Sequence, residues 1–174
     1  MIIENKKEFV FHRSTTGYLK ISSLATQKMA RFIQTSPNAT EAGGVLLGRF
    51  ILNSEDIVVD DITIPHKKDK RTRHCFIRNK HSHQLEILKR WKESNGTCNY
   101  LGEWHTHPEP NPQPSSNDLK DWQRILKQTR FDAESLFFVI VGTEQLFVWE
   151  GLKNTLEIKR LTFEVKEDKW YVKA

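Results

Sequence analysis

GEWHTHPEPNPQPSSNDLKDW, residues 102–122, places two histidines, a proline-rich loop, a serine and an aspartate in close succession. If His105 and His107 lie on a strand, both imidazoles project from the same face, because side chains at i and i+2 share a face. The alternating prolines exclude a helix or an inner strand directly after them, since each proline removes a backbone donor and fixes φ. Ser115 then begins a helix, and Asp118 falls on its first turn, where a negative charge is favoured.

Two imidazoles and one carboxylate would supply three protein ligands, the number found in a catalytic zinc site that keeps a fourth position for water. Two other interpretations stay open. The spacing Ser115-x-x-Asp118 also fits a capping box, and His105 and His107 could be hydrogen-bonded sheet histidines. The second His-x-His of the chain, His81 to His83, is predicted at a helix start, where such residues lie about 200° apart and cannot share a metal ion.

A metal-dependent hydrolase also needs a general base and a donor for the developing oxyanion. The Ser115 hydroxyl could be that donor, although it could equally be a helix cap alone. Glu41 is the candidate base, because it stands before a glycine pair and an otherwise apolar strand in TEAGGVLLG, residues 40–48. The alternative for Glu41 is an ordinary solvated loop carboxylate.

The pattern H-x-H-P-x6-S-x2-D, with a glutamate upstream of a GGVLLG strand, resembles the JAMM (MPN-plus, JAB, Mov34-like) zinc metalloproteases over residues 15–150. The matching positions are His105, His107, Pro108, Ser115 and Asp118, with Glu41 upstream. The stretch YLGEWHTHPEPNPQPS resembles the prokaryotic branch, and especially the stand-alone JAMM deconjugases of bacterial anti-phage (CBASS-type) operons.

This resemblance implies one Zn²⁺ ion held by His105, His107 and Asp118, with Glu41 as general base and Ser115 stabilising the tetrahedral intermediate. It implies hydrolysis of an isopeptide or peptide bond after the extended C-terminal tail of a ubiquitin-like or otherwise conjugated protein. In those operons an E1/E2-like ligase conjugates a nucleotidyltransferase, so both are expected partners. A non-catalytic MPN scaffold is the alternative, which the intact set of candidate residues disfavours. A nucleobase deaminase is disfavoured because H-x-E with P-C-x-x-C is missing.

The sequence predicts an α/β (α+β) fold in a single domain over residues 1–174, with a mixed sheet flanked by about three helices; the resemblance makes it a cytidine-deaminase-like domain. Leu85, Leu88 and Trp91 are expected to be the apolar stripe of the second helix, capped by Ser82. Predicted strands cover 9–13, 17–22, 42–52, 56–64 and 98–107, followed by a C-terminal β-meander, and predicted helices cover 22–36, 82–96 and 115–129.

The net charge of +5 comes from 27 Lys and Arg against 22 Asp and Glu. It is concentrated in HKKDKRTRHCFIRNK, residues 66–80, which is predicted to be a long loop. The segment could be simply solvated, or it could grip the substrate tail through Lys70, Arg71 and Arg73. Nucleic-acid binding is the third alternative for this segment, and it is disfavoured because no stacking motif or recognition helix accompanies it.

The 2 cysteines are too few for a disulfide scaffold. The N-terminus lacks the features of a signal peptide, and no apolar run is long enough to cross a bilayer. These features predict a cytoplasmic protein with no membrane partner. The absence of long appended helices favours a monomer.

Overall fold

The computed structural model describes residues 8–130 and 133–164. The strands are β1 Phe9–His12, β2 Tyr18–Ile21, β3 Gly43–Phe50, β4 Ile57–Ile62, β5 Lys70–Thr72, β6 Cys75–Ile77, β7 Asn99–Thr106, β8 Ser135–Val141, β9 Leu146–Leu152, β10 Ile158–Arg160 and β11 Thr162–Phe163. The helices are α1 Ser23–Ala30, α2 Lys80–Glu93 and α3 Ser116–Gln128. The predicted mixed α/β class is confirmed.

Nine strands form one sheet in the order β10-β9-β8-β7-β3-β4-β2-β1-β11, and the pairs β2–β4 and β7–β8 are parallel. Only Leu161 separates β10 from β11, yet these strands occupy opposite ends of the order. The sheet must therefore curve until its two ends meet. The predicted C-terminal meander is right for β8 to β10 and wrong for β11, which pairs with β1 through Phe11 and Phe163.

The two faces of the sheet carry separate apolar clusters. On β8, Phe137 packs into the cluster that includes Met29 of α1, whereas Phe138 packs into the cluster that includes Trp122 of α3 and Trp149. Neighbouring residues of a strand point to opposite faces, so α1 and α3 cover opposite sides of the sheet. The strand β7, next to β8, therefore presents one side to α3.

The helix α2 differs from its prediction in two respects. It begins at Lys80 with Asn79 as the cap, instead of after Ser82. Its predicted apolar stripe is wrong, because Leu85, Leu88 and Trp91 are 55%, 45% and 49% exposed. The side of α2 that faces the protein carries the buried His83 together with the half-buried Glu86, Ile87 and Arg90.

His83 is fully buried, although a polar helix start was expected at this position. Its Nδ1 lies 2.7 Å from Thr63 Oγ1, and its Nε2 lies 3.1 Å from Asp69 Oδ2. The pKa of Asp69 is lowered, so its carboxylate is ionised and can only accept, and His83 Nε2 therefore donates to it. Burial lowers the pKa of His83, so its ring is neutral and its Nδ1 accepts the proton of Thr63 Oγ1, which in turn accepts from the Val45 amide. The residue thus ties α2 to the sheet by hydrogen bonds.

The basic segment is not the long loop predicted. Its middle forms the two-stranded hairpin of β5 and β6, in which Arg71 pairs with Phe76. Asp69 closes the base of the hairpin, because its carboxylate accepts hydrogen bonds from the amides of His66 and Asn79.

The helix α1 begins after Ser22 as predicted and ends at Ala30, before the predicted limit at residue 36. Within the described ranges, none of the helices has the length and apolar character needed to cross a membrane.

Candidate metal centre

Three predicted ligands meet where β7 ends and α3 begins. His105 Nε2 lies 3.0 Å from His107 Nε2 and 3.3 Å from Asp118 Oδ1. His107 Nε2 lies 3.5 Å from Asp118 Oδ2, and one ligand atom from each residue falls within 4.8 Å of the other two. Two imidazole nitrogens and a carboxylate oxygen at these separations can hold one metal ion. In the described part of the chain, this is the one group of this kind.

Asp118 is aimed by a capping box at the start of α3. The Ser115 amide and hydroxyl both donate to Asp118 Oδ2 at 2.6 Å, and the Asp118 amide donates to Ser115 Oγ at 3.1 Å. The capping-box interpretation is therefore confirmed, and it is compatible with metal binding by the same carboxylate. The Ser115 hydroxyl orients a candidate ligand in this arrangement, so its predicted oxyanion role stays a prediction.

Burial and charge prepare the three side chains differently. Burial lowers the pKa of His105 to about 4, so its imidazole is neutral, as a metal ligand must be. Burial disfavours the charged forms of His107 and Asp118 as well. Hydrogen bonding to Asp118 and the charge of Glu41 outweigh burial at His107 and raise its pKa. Hydrogen bonds from His107 and Ser115 outweigh burial at Asp118 and hold its pKa well below its usual range. Without a metal ion, the centre therefore pairs an ionised Asp118 with an imidazole, His107, whose protonated form is favoured, and a bound ion would displace that proton.

Glu41 lies beside these groups at the mouth of β3. Its side chain is buried rather than solvated, with 5% of the residue exposed. Its Oε1 lies 3.9 Å from His107 Nε2, and burial raises its pKa to about 7. A carboxyl group with a pKa near neutrality can accept and return a proton at neutral pH.

A cavity of about 970 Å³ opens over the four groups. One wall is formed by β6 and the start of α2, and the other by α3. Arg78 and Glu103 lie along it and pair through Arg78 Nη2 and Glu103 Oε1 at 2.5 Å. Their charges are visible in the sequence, but their pairing is not, because 25 residues separate them. A cavity of this size lies at the upper end of the range for ligand-binding sites.

The three basic residues predicted to grip substrate lie on the hairpin. Arg71 Nε donates to the Glu41 carbonyl at 2.6 Å, and Arg73 Nη1 donates to the carbonyls of Ser36 and Pro37 at 2.9 and 2.7 Å. Neither these two nor Lys70 is among the described residues that line the cavity. Their substrate contacts stay a prediction, and the observed bonds of the two arginines fasten the hairpin to the chain.

Comparison with known families gives this geometry a context. The family of prokaryotic homologs of the JAB domain matches residues 23–152, a region that contains all four residues of the site. The chain belongs to this family. The JAB-domain fold accounts for the mixed sheet with three helices. The family resemblance seen in the His-x-His and Asp118 pattern is confirmed.

Several relatives of this JAB-domain protein carry the name CD-NTase/cGAS isopeptidase. The protein from Pseudomonas aeruginosa (strain BWHPSA011 / Pa011) is 38% identical over 130 residues, which is 75% of this chain and 80% of the relative. The protein from Escherichia coli (strain TW11681) is 33% identical over 157 residues, 90% of this chain and 96% of the relative. Among solved structures, protein DSY2949 from Desulfitobacterium hafniense is similar in fold, with a TM-score of 0.50 at 23% identity over 77% of this chain and 82% of that one.

Proposed function

We propose that this JAB-domain protein is a zinc-dependent isopeptidase that hydrolyses the bond between the C-terminal tail of a conjugated protein and its target. The conjugated protein would be a nucleotidyltransferase of the CD-NTase/cGAS class, attached by an E1/E2-like ligase, and the reaction would reverse that ligation in cytoplasmic anti-phage defence. The observation that carries the proposal is the meeting of His105, His107 and Asp118 beside Glu41 in one cavity. The names of the P. aeruginosa and E. coli relatives support the choice of substrate.

The donor set suits zinc, which binds imidazole nitrogen and carboxylate oxygen and keeps an open position in catalytic sites. Zinc held by His105, His107 and Asp118 would supply Lewis-acid chemistry, by which water is acidified and the scissile carbonyl is polarised. The neutral His105 and the ionised Asp118 already have the protonation states that such an ion requires.

The chain's own residues would move the protons. Glu41 would take a proton from the attacking water and deliver it to the leaving amine. Its burial keeps bulk water from competing for that proton, and its distance of 3.9 Å from His107 places it beside the ligands. The Ser115 hydroxyl would stabilise the oxyanion by turning from Asp118 to the substrate. The substrate tail would lie along the cavity between β6 and α3.

Metal content tests the first half of the proposal. We expect one zinc per chain in a metal-replete preparation of the wild type, and loss of that zinc in His107→Ala. His81→Ala is the matched control, because His81 belongs to the other His-x-His and lies exposed on α2. It should retain zinc. A metal-replete wild type without zinc would contradict the metal centre and favour the non-catalytic scaffold.

Cleavage tests the second half. The wild type is offered a CD-NTase conjugated by an E1/E2-like ligase, and separately a linear fusion to the same C-terminal tail. We expect release of the tail by the wild type and by His81→Ala, and none by His107→Ala or the chelated enzyme. Zinc binding without cleavage of either substrate would retain the metal centre and contradict the proposed isopeptidase.

A further inference from the structure

We infer that Thr106 and Gln34 are positioning residues that fix Glu41 relative to the two histidines of the metal centre. Neither lines the cavity among the described residues, and both are buried behind it, at 0% and 3% exposure. The inference rests on the general-base role proposed above for Glu41. It concerns what holds that carboxylate in place.

Thr106 stands between His105 and His107 on β7, so its side chain points to the face of the sheet opposite theirs. Its amide donates to the Ala42 carbonyl at 2.8 Å. Its hydroxyl accepts from the Ala42 amide at 3.0 Å and donates to Gln34 Oε1 at 3.1 Å. Both backbone polar groups of Ala42, the residue after Glu41, are thereby fastened to the strand that carries both candidate ligands.

Gln34 extends this connection to the other side of Glu41. Its Nε2 donates to the Ala39 carbonyl at 3.1 Å and to the Arg73 carbonyl at 2.9 Å. Its Oε1 accepts from Thr106, so the side-chain amide of Gln34 makes hydrogen bonds to three separate segments of the chain. One of these segments, at Ala39, precedes Glu41, the second is β7, and the third is the β5–β6 hairpin.

The hairpin in turn holds the backbone of Glu41 itself. The Glu41 amide donates to the Thr72 carbonyl at 2.7 Å, and its carbonyl accepts from Arg71 Nε at 2.6 Å. By holding Arg73, Gln34 anchors the turn of the same hairpin. The segment before β3 is therefore fixed from β7 on one side and from the hairpin on the other.

Loss of the Thr106 hydroxyl would leave the Ala42 amide and Gln34 Oε1 without this partner in a buried place. An unpaired buried polar group is costly, so the segment is expected to shift until water or another group satisfies it. A shift of this kind moves Glu41 relative to His107. Misplacement of a catalytic group by about 1 Å can cost about 100-fold in rate.

The test uses two substitutions at one position. Thr106→Val keeps the shape of the side chain and removes the hydroxyl, whereas Thr106→Ser keeps the hydroxyl. We expect kcat of Thr106→Val to fall by about 10- to 100-fold, with KM and zinc content unchanged, and Thr106→Ser to remain near wild type. Thr26→Val is the control, because Thr26 is a buried threonine of α1 that bonds to the carbonyls of Ser22 and Ser23. It should leave kcat unchanged.

Two further readouts separate positioning from general damage. When Glu41→Gln is already present, adding Thr106→Val should lower the residual rate no further, because its effect passes through Glu41. Hydrogen exchange at residues 39–42 should accelerate in Thr106→Val and not in Thr26→Val, whether or not the protein cleaves any substrate. If Thr106→Val does not fold, Gln34→Met makes a corresponding test, since it is of similar length, adds no charge and removes the bonds to Thr106, Ala39 and Arg73.

Unchanged exchange at residues 39–42 together with unchanged kcat would overturn the inference. Equal losses of kcat in Thr106→Val and Thr26→Val would overturn it too, since they would indicate a general effect of destabilisation. If the wild type cleaves nothing while exchange still responds to Thr106→Val, the proposed function fails and the fixing of the Glu41 segment stands.

Discussion

Glu41 Oε1 and His107 Nε2 are 3.9 Å apart, beyond the range of a direct hydrogen bond but within strong electrostatic influence. The carboxylate is therefore a neighbour of the candidate metal ligands and not one of the three that meet. If Glu41 is the general base, this separation allows a substitution at Glu41 to remove proton transfer while the metal is kept.

Glu41→Gln should abolish cleavage and keep the metal. The amide has nearly the same shape but cannot take a proton from water, so kcat is expected to fall by about 100- to 10,000-fold. Zinc stoichiometry should match the wild type, because the three ligands are intact. Rate and metal content are measured on the same preparation.

Glu109→Gln is the matched control for that substitution. Glu109 Oε2 also lies 3.9 Å from His107, but from Nδ1, and its side chain is 55% exposed. We expect a change of less than about tenfold in kcat, because an exposed charge at this distance is screened by solvent. Equal losses from both substitutions would contradict the assignment of Glu41 as the base.

Removal of the metal should lower the melting temperature without unfolding the chain. A ligand that binds the folded state at 100 times its Kd contributes about 2.7 kcal/mol, which corresponds to roughly 5–10 °C for a chain of this size. Chelation of the wild type, followed by zinc addition, should lower and then restore the melting temperature. His107→Ala should show neither change; a chelation-induced shift of equal size in His107→Ala would place the responsible ion elsewhere.

The meeting of His105, His107 and Asp118 could be predicted from the sequence because its geometry is local. Alternation along β7 brings His105 and His107 to one face, and the capping box at Ser115 aims Asp118, so a short stretch of chain specifies all three candidate ligands. Glu41 lies far from them in the chain, and it was singled out by its place before a glycine pair and an apolar strand and by the resemblance to a family pattern. Its neighbour Ala42 reaches β7 across 64 residues.

Other parts of the fold depend on contacts that the sequence does not display. The spacing of Leu85, Leu88 and Trp91 fits a buried helical stripe, but the protein presents polar partners to α2. The inward side of this helix is therefore organised by His83 and Asp69, whose bond spans 14 residues. Likewise, β11 follows β10 closely in the chain but lies at the opposite end of the strand order, because the sheet curves. Strand propensity alone cannot indicate this arrangement.

Gly102→Ala should destabilise the protein severely. Gly102 has φ of +135° at a register shift between β7 and β3, and an added Cβ would lie 1.8 Å from the Phe137 carbonyl oxygen. Both the strained backbone and the clash with backbone atoms must be relieved, so we expect a loss of about 3 kcal/mol or more in urea unfolding.

Gly96→Ala separates backbone conformation from crowding. Gly96 also has a positive φ, +82°, but its added Cβ would meet nothing nearer than Trp91 at 3.4 Å. The expected cost is about 1–2 kcal/mol, from the left-handed conformation alone. Equal losses in the two variants would show that the close approach of β7 to β8 is not what requires glycine at position 102.

The Arg13–Glu150 pair should make the free energy of unfolding depend on pH in the acidic range. Glu150 is fully buried, and Arg13 Nη2 donates to its Oε1 at 2.8 Å, while the Ser14 amide and hydroxyl both donate to its Oε2 at 2.7 Å. Burial alone would raise the pKa of Glu150, but the hydrogen bonds from Arg13 and Ser14 outweigh it and hold the pKa below its ordinary value. Because the pKa of Glu150 is lower in the folded than in the unfolded protein, the ionised carboxylate stabilises the fold at pH values above its unfolded-state pKa. This contribution is lost as the pH falls through its folded-state pKa.

The loss in the free energy of unfolding caused by Arg13→Met should therefore be largest near neutral pH. The substitution leaves a buried carboxylate without its cation, with an expected loss of about 3–5 kcal/mol near pH 7. The deficit should shrink towards pH 4, because protonation of Glu150 relieves the unpaired charge while the wild type loses its advantage. Urea unfolding at both pH values measures this difference.

Arg49→Met, which breaks the exposed pair with Asp60, should cost less than about 1 kcal/mol at either pH. A deficit in Arg13→Met that does not change with pH would show that lost packing of the arginine, and not its charge, supports this part of the sheet.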